Sequence, residues 1–364
     1  MHVTVGKSTN SDARNAVAEA LRTAGKPKLI IFISPYNILK DVAKIIKENY
    51  PEAISIGTSG TSYYETVASD KCLITMAFGD DGVYAAGIMR NLSSCPVADI
   101  GLMQDAIKKV GPEEGKTICM EYCTGHEERL VTTMNVELQS KKIPLIGGTV
   151  FGVPAGQTAY VACNGELFED ACCYVIIKNK TGHIRTYSEN IYEVVPGSPK
   201  HIATKVNLEN KELLTLDGKP AADVYADELG ISRGQVVDNV LQCPLGRIVG
   251  DEVFISSMYD IGKNGSLINY KRINENDTIS ILRLMDYNDV NARTREKIKG
   301  ENGTINFVYS VNCIYRHLLF ENEAYLGTFL SNMKSLGLHV GIVGGGEQYK
   351  RQHVNQTMVC AVFE

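Results

Sequence analysis

The sequence predicts an α/β (α+β) fold made of two α/β sandwich domains with mixed, largely antiparallel sheets. A chain of 364 residues is longer than one hydrophobic core usually supports. Strand-like apolar runs outnumber helical stripes, and many connections between them are as short as hairpin turns. Pro196, Gly197 and Pro199 interrupt the pattern within four residues. We therefore expect a domain over 1–195 and a second domain over 196–364.

Helices and strands alternate in the first half. An apolar stripe at helical spacing predicts a helix over 11–24, and "KLIIFIS" predicts a buried strand. "NILKDVAKIIKENY" predicts an amphipathic helix that Pro51 ends, and "EAISIGTSG" predicts a strand that closes in a glycine turn. "KCLITMAFG" and "GVYAAGIM" are separated by a short Asp-Gly-containing loop, which predicts a hairpin.

The remaining elements follow the same rules. A helix over 96–110 precedes the strand "TICMEYC", and a hairpin is expected to turn at Asn164 and Gly165. The second half begins with "ELLTL", the turn "DGKP" and the helix "AADVYADELG". Several short strands, a polar helix over 287–299 and the strands "TINFVYSV" and "LHVGIVGG" complete the pattern.

Composition narrows the class of protein. The net charge is -5, and 44% of the residues are hydrophobic and 22% charged. No long block of one charge gives a nucleic-acid footprint, and no apolar run has the length of a membrane span. The first residues have neither the basic start nor the apolar centre of a signal peptide. We expect a cytoplasmic protein without nucleic-acid or membrane partners.

The ten cysteines mostly lie in apolar, strand-like runs. No C-x-x-C pair occurs, so a disulfide framework is not expected. Cys119, Cys123 and His126 form the best metal candidate, but their spacing matches no familiar zinc pattern. Strand alternation would place both cysteines on one buried face. We expect core packing there and no metal.

Two stretches near the C-terminus gather polar residues after apolar strands. In "VGGGEQYKRQHVNQTMVC", over 343–360, three glycines precede Glu347, and His353 and Asn355 follow a basic run. Three consecutive glycines indicate either the rim of a binding site or a sharp turn of the backbone. In "VNCIYRHLLF", over 311–320, Arg316 follows an apolar strand. A buried arginine needs an internal acid or an anionic ligand.

A third stretch, "IGTSGTSYYET" over 56–66, places Ser59 among glycines and hydroxyls directly after a strand. Its backbone N–H groups could bind an anion or a carboxylate, whereas a plain turn is the alternative. Cys313 with His317 or His353 could form a nucleophilic pair. Arg316 with Glu347 could hold the two ends of a zwitterion, or could form a salt bridge between strands.

Together these stretches resemble the FIST family, whose members carry paired FIST N and FIST C sensory domains. The resemblance covers nearly the whole chain. It departs at Gly57 and Thr58, where the family has a cysteine, and at Asn355, which Val354 separates from His353. The motifs that carry it, in chain order, are "IGTSG" at 56–60, "IPLIGGTVFG" at 143–152, "LDGKPAADVYADELG" at 216–230, "VNCIYRH" at 311–317 and "VGGGEQYKRQHVNQTMV" at 343–359.

The resemblance implies a non-enzymatic cytosolic sensor of an amino acid or a related metabolite. Since we expect no output module, the signal would pass to a separate partner such as a histidine kinase or a chemoreceptor. Some relatives bind haem and report nitric oxide, so a haem sensor is the alternative, with His353 and His317 as candidate axial ligands. A cysteine-dependent enzyme using Cys313 is the second alternative. The residues expected at the ligand site are Ser59, Cys313, Arg316, Gly345, Gly346, Glu347, His353 and Asn355.

Overall fold

The chain forms two compact units in a computed structural model that describes residues 1–250 and 252–364. Unit 1 comprises Met1–Ser188, Ala292–Gln352 and Met358–Glu364, and unit 2 comprises Glu189–Asn291 and His353–Thr357. The units therefore do not follow the expected division at residue 195, because most of the last part of the chain adds strands and helices to unit 1. A boundary between sequence domains near 195 stays a prediction.

Eight α-helices lie in the described part of the chain. Their bounds are α1 Ala13–Ala20, α2 Leu39–Asn49, α3 Ile100–Val110, α4 Glu127–Leu138, α5 Ala221–Leu229, α6 Tyr287–Glu301, α7 Ile314–Asn322 and α8 Leu326–Lys334. None of these helices has the length and apolar character that crossing a membrane requires.

Strands dominate the described residues. The first thirteen are β1 Val3–Ser8, β2 Leu29–Ser34, β3 Ile54–Ser59, β4 Ser62–Tyr64, β5 Val67–Ser69, β6 Leu73–Phe78, β7 Gly82–Arg90, β8 Thr117–Cys123, β9 Leu145–Thr149, β10 Val161–Cys163, β11 Glu166–Phe168, β12 Ala171–Asn179 and β13 Ile184–Asn190. The next ten are β14 Tyr192–Glu193, β15 His201–Asn207, β16 Glu212–Leu216, β17 Lys219–Pro220, β18 Leu245–Val249, β19 Glu252–Ser256, β20 Met258–Ile261, β21 Leu267–Asn269, β22 Thr278–Ile281 and β23 Arg283–Leu284. The last five are β24 Phe307–Cys313, β25 His339–Gly344, β26 Glu347–Tyr349, β27 Gln352–Val354 and β28 Thr357–Phe363.

Three six-stranded sheets contain the strands of unit 1. Their orders are β1-β6-β2-β3-β10-β11, β27-β26-β9-β8-β12-β7 and β13-β28-β24-β25-β4-β5. The pairs β2–β3, β8–β9 and β24–β25 are parallel, whereas neighbours such as β1–β6 and β12–β7 are antiparallel. The expected α/β fold with mixed, largely antiparallel sheets is confirmed.

Unit 2 is built on an eight-stranded sheet of order β19-β18-β22-β15-β16-β21-β20, in which β17 also pairs with β16. The sequence "LDGKPAADVYADELG" forms the end of β16, the short strand β17 and α5. The strand end and the helix were expected, whereas β17 lies within the stretch expected to be only a turn. Helix α5 ends at Leu229 and is capped by Gly230, whose left-handed φ of 65° suits a helix C-terminus.

Helices cover one face of the first two sheets because their apolar residues repeat at steps of three and four. In α2, Leu39, Val42, Ala43 and Ile46 are buried at this spacing and pack with α1 over the first sheet. Helices α3 and α4 cover the second sheet in the same way. Cys119 and Cys123 lie in that core, which confirms the expected packing of both cysteines on one buried face.

Two hairpin predictions have different outcomes. Asn164 and Gly165 both take positive φ, at 49° and 94°, and join β10 to β11 as an antiparallel hairpin, so this turn is confirmed. The expected hairpin of "KCLITMAFG" with "GVYAAGIM" is wrong. Strand β6 belongs to the first sheet, whereas β7 pairs with β12 over its whole length in the second sheet. Both runs are apolar enough to be buried in different sheets, and this burial outweighs local pairing.

Candidate functional site

An open cavity of about 450 Å³ lies in unit 1 where β1, β2 and β3 end. These strands run in the same direction, because β1 and β2 are both antiparallel to β6 and β3 is parallel to β2. The carboxyl ends of strands in α/β sheets are where ligand sites commonly form. The residues around the cavity are Thr9, Asn10, Ser11, Pro35, Tyr36, Asn37, Ile38, Gly60, Thr61, Asp70, Lys71, Gly152 and Pro154.

The loop after β1 is fixed by short polar contacts. The backbone N–H of Asn10 donates to Ser8 Oγ at 3.1 Å, and Asn10 Oδ1 accepts from the backbone N–H of Asp12 at 3.0 Å. Asp12 then caps α1 by accepting from the backbone N–H of Asn15. This local hydrogen bonding holds one polar wall of the cavity before any ligand binds.

Tyr36 connects the cavity to an irregular, mostly exposed segment over 151–160. Its hydroxyl donates to the carbonyl oxygen of Thr158 at 2.9 Å. Gly152 and Pro154 of the same segment lie on the cavity wall. The segment therefore forms part of the rim. It is held by the Tyr36 hydrogen bond and by Thr58 Oγ1, which donates to the Tyr160 carbonyl oxygen at 3.0 Å.

Asp70 and Lys71 place opposite charges at this cavity. Strand β4 pairs with β5 so that Ser62 lies opposite Ser69, and this pairing brings the residues after Ser69 beside Thr61. The backbone N–H of Lys71 donates to Ser69 Oγ at 3.1 Å. Both side chains are exposed, and within the described residues neither charged group has an ion-pair partner. Such a pair suits a ligand that carries both charges.

Ser59 is the predicted residue nearest to this cavity in the chain. It ends β3 directly before Gly60, is 2% exposed, and its hydroxyl has no hydrogen-bond partner in the described structure. The sequence thus indicated a loop that lies next to this cavity, but it did not single out Asp70, Lys71, Asn10 and Asn37. The sequence feature that could have identified them is their position shortly after the ends of strands. That position becomes informative only when the order of the strands in the sheet is known. A ligand-binding role for Ser59 stays a prediction.

The glycines before Glu347 serve strand packing. The backbone N–H of Gly345 donates to Thr149 O at 2.9 Å, and the N–H of Thr149 donates to Gly346 O at 3.1 Å. Glu347 then lies opposite Gly148 in the β26–β9 pairing. A Cβ on Gly344 would lie 3.0 Å from Gly346 O. The glycines therefore let the chain turn sharply and return beside a neighbouring strand.

Cys313, Arg316 and His317 come together at the start of α7. Cys313 is the N-cap residue and is 2% exposed. Arg316 lies in the first turn of this helix, after β24, and is 0% exposed. Its guanidinium carbon lies 4.7 Å from the ring centre of Phe320 and 5.3 Å from that of Phe329. Glu347 is also 0% exposed. A binding role for Arg316 and Glu347 stays a prediction.

The two candidate haem ligands belong to different units. His317 in unit 1 contacts Tyr63 Oη through Nδ1 at 2.7 Å and Glu321 through Nε2 at 3.3 Å, and burial lowers the pKa of its imidazole. An axial role would require His317 to give up one of these contacts. His353 in unit 2 lies 3.4 Å from Asn355, which accepts from the backbone N–H of Ser257 at 3.4 Å. Haem binding stays a prediction.

Family models match nearly the whole chain. The FIST N domain matches residues 28–219 and the FIST C domain matches residues 221–350. The chain belongs to the FIST family. FIST domains are sensory domains. The expected membership of this family and the general sensory role are therefore confirmed. The FIST N match includes every part of the cavity wall except the loop after β1.

Other comparisons add little to the FIST assignment. A search of curated protein sequences found no significant match. A solved structure described as "Cyanuric acid hydrolase: evolutionary innovation by structural concatenation" is similar over 100% of this chain and 99% of that chain, with 8% identity and a TM-score of 0.37. Similarity at this level assigns neither fold nor activity.

Metal ligands do not cluster in the described part of this FIST protein. Among those residues, no three histidine, cysteine, aspartate or glutamate side chains are arranged to hold an ion. Cys119 and Cys123 instead face the apolar core, where burial raises the pKa of both thiols well above its ordinary value.

Proposed function

We propose that this FIST protein senses a free amino acid or a closely related zwitterionic metabolite, bound in the cavity at the ends of β1, β2 and β3. The observation that carries the proposal is the presence of Asp70 and Lys71 at one cavity of about 450 Å³, without other ionic partners in the described structure. A cavity of this size exceeds the lower limit for small-molecule sites, about 300 Å³.

Each charge has a defined role in this proposal. The Lys71 ammonium attracts the ligand carboxylate, and the Asp70 carboxylate attracts the ligand ammonium. The Asn37 amide supplies a donor and an acceptor that fix the orientation of the ligand. Asn10 adds its second Nδ2 hydrogen, because its first donates to Glu19 Oε1. Because Asp70 and Lys71 are exposed in the free protein, binding also removes them from water, which strengthens their attraction to the ligand.

The signal would leave the cavity through the turn at Gly60 and Thr61. The carbonyl oxygen of Thr61 accepts from the backbone N–H of Val343 at 2.9 Å, and β4 follows directly into the third sheet. A ligand that shifts this turn would therefore shift strands of both the first and the third sheets. We expect a separate cytoplasmic partner, such as a histidine kinase or a chemoreceptor, to receive the change.

A thermal-shift screen tests the ligand class. The panel contains the twenty amino acids, small dicarboxylates and haem. We expect at least one amino acid to raise the melting temperature, and its N-acetyl and carboxamide analogues to fail, because each lacks one of the two charges. A response to both blocked analogues would contradict a zwitterion site. A Soret band with added haem and no amino-acid response would support the haem alternative instead.

A further inference from the structure

A second open cavity, of about 500 Å³, lies elsewhere in unit 1 and shares no residue with the first. Four cationic side chains line it, those of Lys142, Arg185, Lys350 and Arg351, together with two acidic ones, those of Glu114 and Glu301. The lining therefore carries two more positive than negative charges. This excess is local, because the whole chain has a net charge of -5.

The excess positive charge comes from the turn between β26 and β27. Lys142 lies 2.6 Å from Glu114, and Arg185 lies 3.0 Å from Glu364, so these two cations are matched by acids. Lys350 and Arg351 have no acidic partner within the described residues. The Lys350 ammonium lies 5.1 Å from the ring centre of Tyr349, an arrangement that keeps the charge at the surface.

This turn is fixed to three other elements. The backbone N–H of Lys350 donates to Leu145 O at 2.8 Å, and Asn135 Nδ2 of α4 donates to Lys350 O at 2.9 Å. Tyr349 Oη donates to Thr186 O of β13 at 3.2 Å. Lys350 itself takes a left-handed φ of 52°, which is uncommon for a lysine. The two cations are thus presented by a rigid backbone.

We propose that this second cavity binds a small phosphate-bearing anion. The planar guanidinium of Arg351 can donate two parallel hydrogen bonds to phosphate oxygens, while Lys350 supplies a point charge beside it. Asn135, Gln139 and Tyr187 add polar groups to the lining of the cavity. Once Glu364 is counted as the partner of Arg185, one further acid, Glu301, faces the two cations of the turn. The cavity then keeps an excess of one positive charge, which favours an anion. The site is independent of the amino-acid cavity and would give the sensor a second input.

Calorimetric titration with inorganic pyrophosphate at constant ionic strength tests this site. The test variant is the full-length chain with Lys350→Gln and Arg351→Gln, both on an exposed turn. The matched control carries Lys108→Gln and Lys109→Gln, two adjacent exposed lysines of α3 that lie outside the cavity. We expect the test variant to bind pyrophosphate about tenfold more weakly or worse, as for loss of charge-assisted hydrogen bonds. The control should change less than about twofold, since exposed charges act weakly.

Three results would overturn the proposal. The first is wild-type protein that does not bind pyrophosphate, and the second is an equal loss in both double variants, which would indicate diffuse electrostatics. The third is a protein that co-sediments with phosphatidic-acid vesicles but does not bind pyrophosphate, which would indicate that the site binds a lipid surface instead. A Lys71→Met variant that loses its amino-acid response but keeps pyrophosphate binding would confirm that the two sites are separate.

Discussion

Glu121 shows how a single carboxyl group responds to the core of unit 1. It is 2% exposed on β8, its Oε2 accepts from the Cys172 thiol at 3.4 Å, and its Oε1 has no hydrogen-bond partner in the described structure. Burial raises the pKa of Glu121 to about 8, and the nearby charge of Glu127 acts in the same direction, whereas the Cys172 hydrogen bond opposes it.

The raised pKa of Glu121 predicts a stability that falls with pH. Between the ordinary value of 4.5 and about 8, the folded state keeps a proton that the unfolded state releases. The contribution of Glu121 to the free energy of unfolding is therefore fully present below pH 4.5. It is lost as the pH rises to about 8, by up to about 1.4 kcal/mol per pH unit. We expect Glu121→Gln to flatten the decline in urea unfolding free energy between pH 5 and pH 8. Parallel curves for the two proteins would contradict this.

Cysteine labelling separates the sensor from the enzyme alternative. Among the ten cysteines, Cys95 is exposed, Cys243 is half-buried and Cys313 is buried. Iodoacetamide reacts with an accessible thiolate, so we expect native protein to label first at Cys95 and only slowly at Cys313. Peptide mass spectrometry after short exposure measures the order. Fastest labelling at Cys313 would instead favour a cysteine-dependent activity.

Arg316 tests whether a buried cation binds ligand or supports the fold. Arg316→Ala removes a fully buried side chain that stacks on two aromatic rings, so we expect it to lower the unfolding free energy by about 3 kcal/mol. Arg14→Ala, on the exposed side of α1, serves as the control and should change stability little. Large destabilisation with the amino-acid response retained would exclude a binding role for Arg316, whereas a normally stable variant without the response would support it.

At the scale of elements, two glycines in different surroundings should respond oppositely to alanine. A Cβ on Gly148 of β9 would lie 2.6 Å from Val311 Cγ1, so Gly148→Ala should destabilise the protein by about 1–3 kcal/mol. Gly101 in α3 has open space around it, so Gly101→Ala should stabilise it by about 0.4–1 kcal/mol. Denaturant unfolding measures both. A neutral Gly148→Ala variant would show that the close approach of β9 to β24 is not required.

Local sequence patterns predicted individual helices and turns better than they predicted which strands pair in a sheet. The Asn164-Gly165 turn was predictable because both residues favour positive φ, and the stripe of α2 was predictable from its spacing. The separation of β6 and β7 into different sheets was not, because it depends on β12, which lies far away in the chain. Arg316 follows strand β24 as the sequence predicted, whereas its place in the first turn of α7 was not predicted.

At the scale of the whole molecule, the candidate site could be predicted only in part. The loop "IGTSGTS" indicated one wall of the cavity. Asp70 and Lys71 carry no motif, and they reach the cavity because the β4–β5 hairpin pairs Ser62 with Ser69. The compact units could not be predicted either, because late strands of the chain pair with early ones. Strand β25 pairs with β4, and β26 pairs with β9.

Limited proteolysis relates the irregular segments to the site. Two of them, over 151–160 and 194–200, contain no regular strand or helix and carry exposed residues. We expect early cleavage in both, because such backbone is easily opened. Since 151–160 lines the first cavity, an amino-acid ligand should protect it and leave 194–200 sensitive. Equal protection of both segments, or preferred cleavage within 220–330, would contradict this assignment.

Calorimetric titration of the cavity variants tests the central claim most directly. The ligand is the amino acid that gives the largest thermal shift, and the proteins are wild type, Asp70→Asn, Lys71→Met and a control with Asp105→Asn and Lys108→Met on the exposed face of α3. We expect each cavity variant to bind about tenfold more weakly or worse, as for a lost charge-assisted contact, and the control to match wild type. Wild-type affinity in both cavity variants would contradict the assignment of the site.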